Sequence, residues 1–205
     1  MFATERFDRI FSDHAKTISG LPSPLRLHQE DFAQAMGIHS FAKYEHEPDS
    51  YMKGMFDILR KYSSDPIADQ IKLWDVIVFD YLIGNTDAHV KNFSLLYGPD
   101  LKSIRLAPVY DIVSTTVYEQ STRDMAFRIG GTHSIDEITA DSFRAAAKEV
   151  GLGERMAMRR FELMCKQFRT ALRQSTEELV SAGYSKAAEI EERILQSGGI
   201  AKAAN

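Results

Sequence analysis

The segment Gly84–Asn92 combines an acid, an imidazole, an amine and an amide within a short stretch that follows an apolar run. These side chains belong to Asp87, His89, Lys91 and Asn92. A second carboxylate, Asp111, follows Asn92 by 19 residues (111 − 92 = 19). One carboxylate can accept the proton of an attacking hydroxyl, while an amide and another carboxylate can hold Mg²⁺. A Lys can neutralise the charge that develops on a moving phosphoryl group, so the pattern indicates phosphoryl transfer.

Each of these residues also has an ordinary structural role, and the sequence leaves some alternatives open. Asp87 could be a general base or a turn residue that caps the backbone. The polar residues near it, His89, Lys91, Asn92 and Asp111, favour the general base. Lys91 is the only cation of the loop and could contact a phosphate or pair with Asp87. His89 could touch a phosphate or hold the loop in shape, and the sequence does not separate these roles.

A different enzyme class shares part of this pattern. Asp-x-His, here Asp87-Ala88-His89, can open a dinuclear metallophosphoesterase site, whose two metals need several further His and Asp ligands. The chain has six His residues, and none forms a second ligand motif. The pair Gly130-Gly131 indicates a turn rather than a phosphate cradle, because it is not followed by the Lys that a phosphate-binding loop requires.

Composition limits the class of protein. The chain has 205 residues, of which 44% are hydrophobic and 26% charged, a profile typical of a soluble globular protein. Its net charge of −4 argues against a broad basic surface for nucleic acid. Cys165 is the only cysteine, so no intrachain disulfide can form. No signal peptide and no membrane-spanning run of about 18 apolar residues is recognisable, so we expect a cytoplasmic protein without membrane contact.

Local patterns predict a mainly helical (α+β) protein with a small hairpin beside the site. An apolar helix is predicted to end at Gly84, directly before the polar loop. Phe93–Tyr97 and Ile104–Pro108 flank a turn and predict a hairpin that brings Asp111 close to the loop. Further predicted elements are a strand at Met125–Ile129, and helices at His28–Met36, Tyr51–Tyr62, Ile71–Ile83, Asp141–Val150, Glu154–Ser175 and Glu177–Leu195. The tail from Ser197 is expected to fray.

Several of these segments match a known family in order. The sequence resembles the C-terminal part of the HipA-like serine/threonine kinases, which are toxins of bacterial toxin–antitoxin modules. The resemblance covers about half of the chain, and its central segment is specific. The matching segments are Glu5–Arg9, Leu25–Asp31, Lys43–Glu45, Leu82–Ser94 and Leu106–Ile112.

The resemblance implies a role for each matching residue in a site that binds ATP and Mg²⁺. Asp87 would be the catalytic base, assisted by Lys91, and Asn92 and Asp111 would hold Mg²⁺. His89 and Lys91 would belong to the nucleotide-contacting part of the loop, and Tyr110, beside the metal ligand, would also bind the cofactor. The hinge that meets adenine would be formed by Glu5, Arg6 and Phe7.

The resemblance also implies an architecture and partners. Residues 1–205 would form one helical C-terminal kinase lobe, with a hinge at 1–11, a catalytic and metal-binding segment at 82–113 and a helical region at 139–197. Family members phosphorylate a Ser or Thr of a protein, in known cases an aminoacyl-tRNA synthetase. They are held by a helix-turn-helix antitoxin, so contact with DNA would be indirect, through that antitoxin.

One departure from the family affects the expected activity. The sequence starts at the hinge, so the N-terminal lobe, with its phosphate-covering loop and its nucleotide-gripping Lys, is expected to be absent or supplied by a separate polypeptide. We therefore expect weak nucleotide binding and little or no phosphotransfer from the chain alone, which leaves its status as an enzyme open. The alternative is a non-catalytic scaffold, or a truncated fragment, that binds an antitoxin or another protein.

Overall fold

The computed structural model describes residues 5–11, 17–46 and 48–203. The first half contains short strands and three helices, with a 3₁₀ turn at Ser40–Ala42. In chain order these are β1 (Arg9–Ile10), β2 (Thr17–Ile18), β3 (Leu21–Pro22), β4 (Leu25–Arg26), β5 (Gln29–Asp31), α1 (Phe32–Ala35), α2 (Tyr51–Tyr62) and α3 (Pro66–Ile83).

The second half begins with a 3₁₀ turn at Val90–Asn92 and becomes helical after residue 139. Its elements are β6 (Ser94–Tyr97), β7 (Ile104–Leu106), β8 (Asp124–Ile129), β9 (Thr132–Ser134), α4 (Ala140–Glu149), α5 (Glu154–Ser181), α6 (Ala187–Ser197) and α7 (Ile200–Ala203). The mainly helical class with small sheets is therefore confirmed.

The central helix α3 carries the core. Asp65 caps its first turn by accepting a hydrogen bond from the Ala68 amide, and Pro66 occupies the first turn, where its missing N–H costs nothing. Trp74 is fully buried and donates from its indole nitrogen to the Ala157 carbonyl of α5 at 3.1 Å. The helix is apolar around most of its circumference, as expected for one covered on several sides.

The predicted hairpin is β6 and β7, and a third strand extends it. Leu95 of β6 faces Leu106 on one side and Glu30 of β5 on the other, in antiparallel register. The predicted helix at His28–Met36 is therefore partly wrong, because its first half pairs as β5. The helix starts only after Asp31, which caps α1 together with Gln34 in a capping box.

The last helices differ from the prediction in their boundaries. A break was predicted between Ser175 and Glu177, but α5 continues to Ser181, because no Gly or Pro interrupts that stretch. The chain turns instead at Gly183, whose φ of 98° is accessible to glycine, and α6 begins at Ala187.

The segment after Ser197 packs against the core and is not frayed, contrary to the prediction. Ile200 is completely buried, and the Gly199 amide donates to the Tyr81 carbonyl of α3 at 3.0 Å. The end of the described chain thus contacts the helix that leads into the polar loop. Within the described residues, no helix has the length and apolar character needed to cross a membrane.

Candidate functional site

Gly84 sets the direction in which the chain leaves α3. Its φ of 76° lies in the left-handed region, and its carbonyl accepts hydrogen bonds from the Thr115 and Thr116 amides at 3.0 and 3.1 Å. A Cβ at this position would lie 2.0 Å from the Thr116 hydroxyl oxygen. The position therefore requires glycine for its backbone conformation and for its close contact with the segment that follows Asp111.

A buried acid holds the start of the loop. Asp80 accepts from the Asn85 side-chain amide at 2.8 Å, and its own carbonyl accepts from the Asn85 backbone amide, also at 2.8 Å. Burial raises the pKa of Asp80 to about 7. This pair was not predicted from the sequence, although a lone acid within the apolar run Val76–Ile83 is a recognisable signal.

Hydrogen bonds across the loop fix Asp87 relative to Asn92. The Asp87 carbonyl accepts from the His89 amide at 2.8 Å and from the Asn92 side-chain amide at 3.0 Å. Because the amide nitrogen of Asn92 is engaged in this way, its side-chain oxygen is the atom that remains for a ligand.

His89 lies inside the loop. It is buried, and burial, with Lys43 as a smaller cause, lowers the pKa of its imidazole, which favours the neutral form. Its Nδ1 has no hydrogen-bond partner among the residues that the structure describes. This burial favours a role in the shape of the loop, and a direct contact with phosphate stays a prediction.

The ammonium of Lys91 lies 3.5 Å from the Asp31 carboxylate, at the junction of β5 and α1. Of the two contacts that the sequence suggested, pairing with Asp87 is not the one observed, because Asp31 takes that place. The side chain remains about one third exposed. Because this ion pair is partly exposed, it is weak, and Lys91 can exchange Asp31 for another anion at little cost.

Asp111 follows β7 in an unusual backbone conformation. Its φ of 57° is left-handed, which is uncommon for a residue other than glycine and costs energy that the surroundings must offset. Beside it, the Tyr110 hydroxyl donates to the Lys91 carbonyl at 2.9 Å, and its ring stacks on Phe7 with centroids 6.2 Å apart. Tyr110 therefore connects the loop to the predicted hinge.

The predicted hinge residues and Asp111 line one cleft of about 690 Å³. The lining residues are Glu5, Arg6, Phe7, Asp8, Gln29, Pro108, Val109, Tyr110, Asp111 and Ile112. Residues 1–4 of the predicted hinge segment lie outside the described residues. The structure thus brings together two predicted groups that are about one hundred residues apart in the chain.

An ion cluster anchors the hinge side of this cleft. Asp8 is buried, and Arg6 donates to its two carboxylate oxygens at 2.8 and 2.7 Å, while Arg9 adds a further contact. The hydrogen bonds from Arg6 hold the pKa of Asp8 well below its usual range. The Asp8 carbonyl accepts from the Leu27 amide at 3.0 Å, which ties the hinge to the strand region.

One contact of Asp87 was not foreseen. The Tyr44 hydroxyl donates to a carboxylate oxygen of Asp87 at 2.6 Å, across 43 residues of chain. Its only sequence signal was the matching segment Lys43–Glu45, for which no role was predicted.

Comparison with known protein families identifies a match over residues 1–172, to the HipA-like C-terminal domain. The chain belongs to this family. The match includes the hinge, the loop, Asp111 and most of α5, so the HipA-like segments recognised in the sequence are confirmed.

Two relatives illustrate the similarity. The chain is 42% identical over 135 residues to "Putative kinase Y4mE" of Sinorhizobium fredii, which covers 66% of this chain and 32% of that protein. It is 31% identical over 161 residues to the serine/threonine-protein kinase toxin HipA of Shewanella oneidensis, which covers 73% of this chain and 34% of the toxin. The HipA-like chain thus spans about one third of the length of these relatives.

The fold has a counterpart among solved structures. It matches Shewanella oneidensis HipA, determined in complex with HipB and operator DNA, with a TM-score of 0.79 and 24% identity. The match covers 98% of this chain and 48% of that one. At this identity the likeness concerns the fold alone.

The residues at the cleft suit a magnesium–nucleotide pair. Mg²⁺ usually keeps several waters and phosphate oxygens and takes one or two protein oxygens, of which Asp111 can supply one from the cleft. Asn92, the second predicted ligand, is not among the residues that line this cleft. No larger group of three or more His, Cys, Asp or Glu suited to a metal exists among the described residues. That donor set fits a metal held jointly with a nucleotide rather than a protein-only metal site.

Proposed function

We propose that this chain is the catalytic lobe of a HipA-like protein kinase, which transfers the γ-phosphoryl group of ATP to a Ser or Thr of a protein. The observation that carries the proposal is the cleft shared by Glu5–Phe7 and Asp111. A hinge segment and a carboxylate that line one cavity are what a nucleotide with its metal requires.

The nucleotide side of the site follows from the lining of the cleft. The backbone of Glu5–Phe7 would pair with the adenine edge, with Tyr110 stacked behind Phe7 to fix that segment. Asp111 and Asn92 would hold Mg²⁺ through oxygen atoms. Bound Mg²⁺-ATP would supply the phosphoryl group that is transferred.

The acceptor side depends on the loop. Asp87 would accept the proton of the Ser or Thr hydroxyl. The position of Asp87 is fixed by the hydrogen bond that its backbone carbonyl accepts from the Asn92 side-chain amide. Lys91 would leave Asp31 and contact the phosphate, because its present ion pair is partly exposed and weak. His89 would keep the loop in shape.

A helix-turn-helix antitoxin is the partner that we propose for the protein. The Shewanella HipA structure contains HipB and operator DNA, and this chain shares its fold. The net charge of −4 favours contact with DNA through such a partner rather than directly. A scaffold without catalysis would use the same fold for this contact and would not need Asp87.

The Asp87→Asn variant tests the proposal. In its natural context, the kinase with Asn at this position should transfer phosphate from ATP at least about 100-fold more slowly, since no general base remains. Its affinity for Mg²⁺-ATP should stay within about 2-fold, because Asp87 does not contact the nucleotide in this proposal. The matched control is Asp57→Asn, which removes an exposed partner of Lys53 and Arg60. Undiminished phosphate transfer by Asp87→Asn would contradict the assignment of Asp87 as the base. A protein that transfers no phosphate with Asp87 present would favour the non-catalytic scaffold.

A further inference from the structure

Tyr44 contacts the proposed base directly and lies outside every role described above. Its hydroxyl donates to Oδ1 of Asp87 at 2.6 Å, a short hydrogen bond typical of an O–H group and a carboxylate. One oxygen of the carboxylate is therefore held by a phenol. The other oxygen, Oδ2, is the atom that can receive a proton from an acceptor hydroxyl.

The phenol ring is itself held in place by its neighbours. The His89 ring meets it edge-on, with centroids 5.6 Å apart and planes at 79°. The ammonium of Lys43 lies 4.8 Å from the ring centroid, within the range of a cation–π contact. These two contacts fix the plane of the ring, and so the direction from which its hydroxyl approaches Asp87.

The next residue, Glu45, anchors the backbone at Tyr44. Glu45 is buried, its amide donates to the Ala126 carbonyl at 2.8 Å, and its carboxylate accepts from the Tyr51 amide at 2.8 Å and from Arg128. This anchor ties the segment to β8 and to the start of α2. The backbone that carries Tyr44 is thus held to the folded core by the contacts of Glu45.

We propose that Tyr44 is a positioning residue, which orients the carboxylate of Asp87 so that Oδ2 faces the hydroxyl of the protein substrate. A carboxylate free to rotate would present its oxygens in many directions, and a small misplacement of a catalytic group costs much of the rate. The inference rests on the proposed kinase function and adds a residue to its acceptor side. The hydrogen bond with Asp87 also raises the pKa of Tyr44 to about 12, so the phenol keeps its proton at neutral pH.

The structure provides a matched control within the same chain. Tyr97 donates from its hydroxyl to the Glu30 carboxylate at 2.7 Å, and this contact likewise raises its pKa to about 12. Tyr97 lies on β6, and Glu30 lies opposite that strand on β5. Tyr97→Phe therefore removes a bond of the same chemistry from a place that has no part in the proposed reaction.

The first readout concerns the contact itself and needs no activity. Tyrosine labelled at Cζ would give one carbon signal for each of the eight tyrosines, and Tyr44→Phe would assign that of Tyr44. The Asp87→Asn variant should move the Tyr44 signal and lower the pKa of its phenol from about 12 towards 10, while Tyr97 stays unchanged. An unmoved Tyr44 signal would overturn the inference and leave the kinase proposal intact.

The second readout is kinetic, in the kinase with this chain in its natural context. Tyr44→Phe keeps the ring against His89 and removes only the hydroxyl. We expect kcat to fall about 10-fold while KM for ATP changes by less than about 2-fold, and Tyr97→Phe to leave both unchanged. A native kcat in Tyr44→Phe, or an equal effect of Tyr97→Phe, would overturn the inference. If the kinase transfers no phosphate with Tyr44 in place, the proposed function fails and this inference fails with it, whatever the carbon signal shows.

Discussion

At the scale of single residues, the polar side chains of the loop were recognisable from the sequence as candidates for chemistry, and the residues that contact them were not. The polar pattern that contains Asp87, Asn92 and Asp111 predicts phosphoryl transfer from the types and spacing of its residues alone. Tyr44 and Asp80 act through contacts that depend on the fold. A tyrosine 43 positions away, or an acid within an apolar helix, acquires its role only when the chain is folded.

Asp80 leads to a prediction about pH. Its pKa in the folded protein is raised to about 7, above the ordinary value of an unfolded Asp, so the folded state binds the proton more tightly. Its contribution to stability is therefore complete below about pH 4 and is lost as the pH rises towards 7. Asp80→Asn keeps an acceptor for Asn85 and cannot ionise. Between pH 5 and pH 8, the free energy of unfolding of the native protein should fall relative to that of the variant, by on the order of 2 kcal/mol.

Urea unfolding at the two pH values measures this difference. The buried His89 has a lowered pKa, so its own contribution to stability grows as the pH rises through the ordinary value of about 6.5. That trend has the opposite sign and is common to both proteins, so it cancels in the comparison. Identical pH dependence in the native protein and in Asp80→Asn would show that Asp80 is not a buried, titrating acid.

At the scale of elements, the junction between α3 and the polar loop is the part that the sequence predicted best. The apolar periodicity and Gly84 together fixed where the helix ends, and the hairpin of β6 and β7 placed Asp111 beside the loop. The third strand, β5, was missed because Gln29–Asp31 has no apolar alternation. Its pairing comes from the neighbouring strand, and tertiary pairing of this kind overrides local propensity.

Gly84→Ala tests this junction. A side chain there combines an unfavourable left-handed backbone with a contact of 2.0 Å to Thr116, so we expect a loss of roughly 3 kcal/mol in the free energy of unfolding. Gly37→Ala is the matched control, because Gly37 has a φ of 69° and its Cβ would meet nothing within 4 Å. That variant should lose only about 1 kcal/mol. Equal losses in thermal or urea unfolding would mean that contact with Thr116 contributes nothing.

At the scale of the whole molecule, the family and the mainly helical architecture followed from a few specific segments in order. The sequence did not predict the boundaries of α5 and α6 or the packing of the segment after Ser197. Gly198 and Gly199 suggest a frayed end by composition, yet they allow the backbone to approach α3 closely. A Cβ at Gly199 would lie 2.5 Å from the Tyr81 ring. Close packing between distant segments leaves no periodic signal in either of them.

The central claim is that the cleft between the hinge and Asp111 is a site for nucleotide and metal. Calorimetric titration of Mg²⁺-ATP into the purified chain tests it most directly, with Asp111→Asn beside it. Asn tolerates the left-handed backbone of this position, so the variant removes the charge without the strain that Ala would add. Asp57→Asn serves as a control outside the cleft.

We predict measurable binding to the native chain and to Asp57→Asn, with affinity at least about 10-fold lower in Asp111→Asn. Such a result would establish that the lobe holds nucleotide through its metal ligand. Binding of equal strength in all three proteins would contradict the assignment of Asp111. The absence of binding in the native chain would contradict the claim that the described cleft is a nucleotide site in its own right.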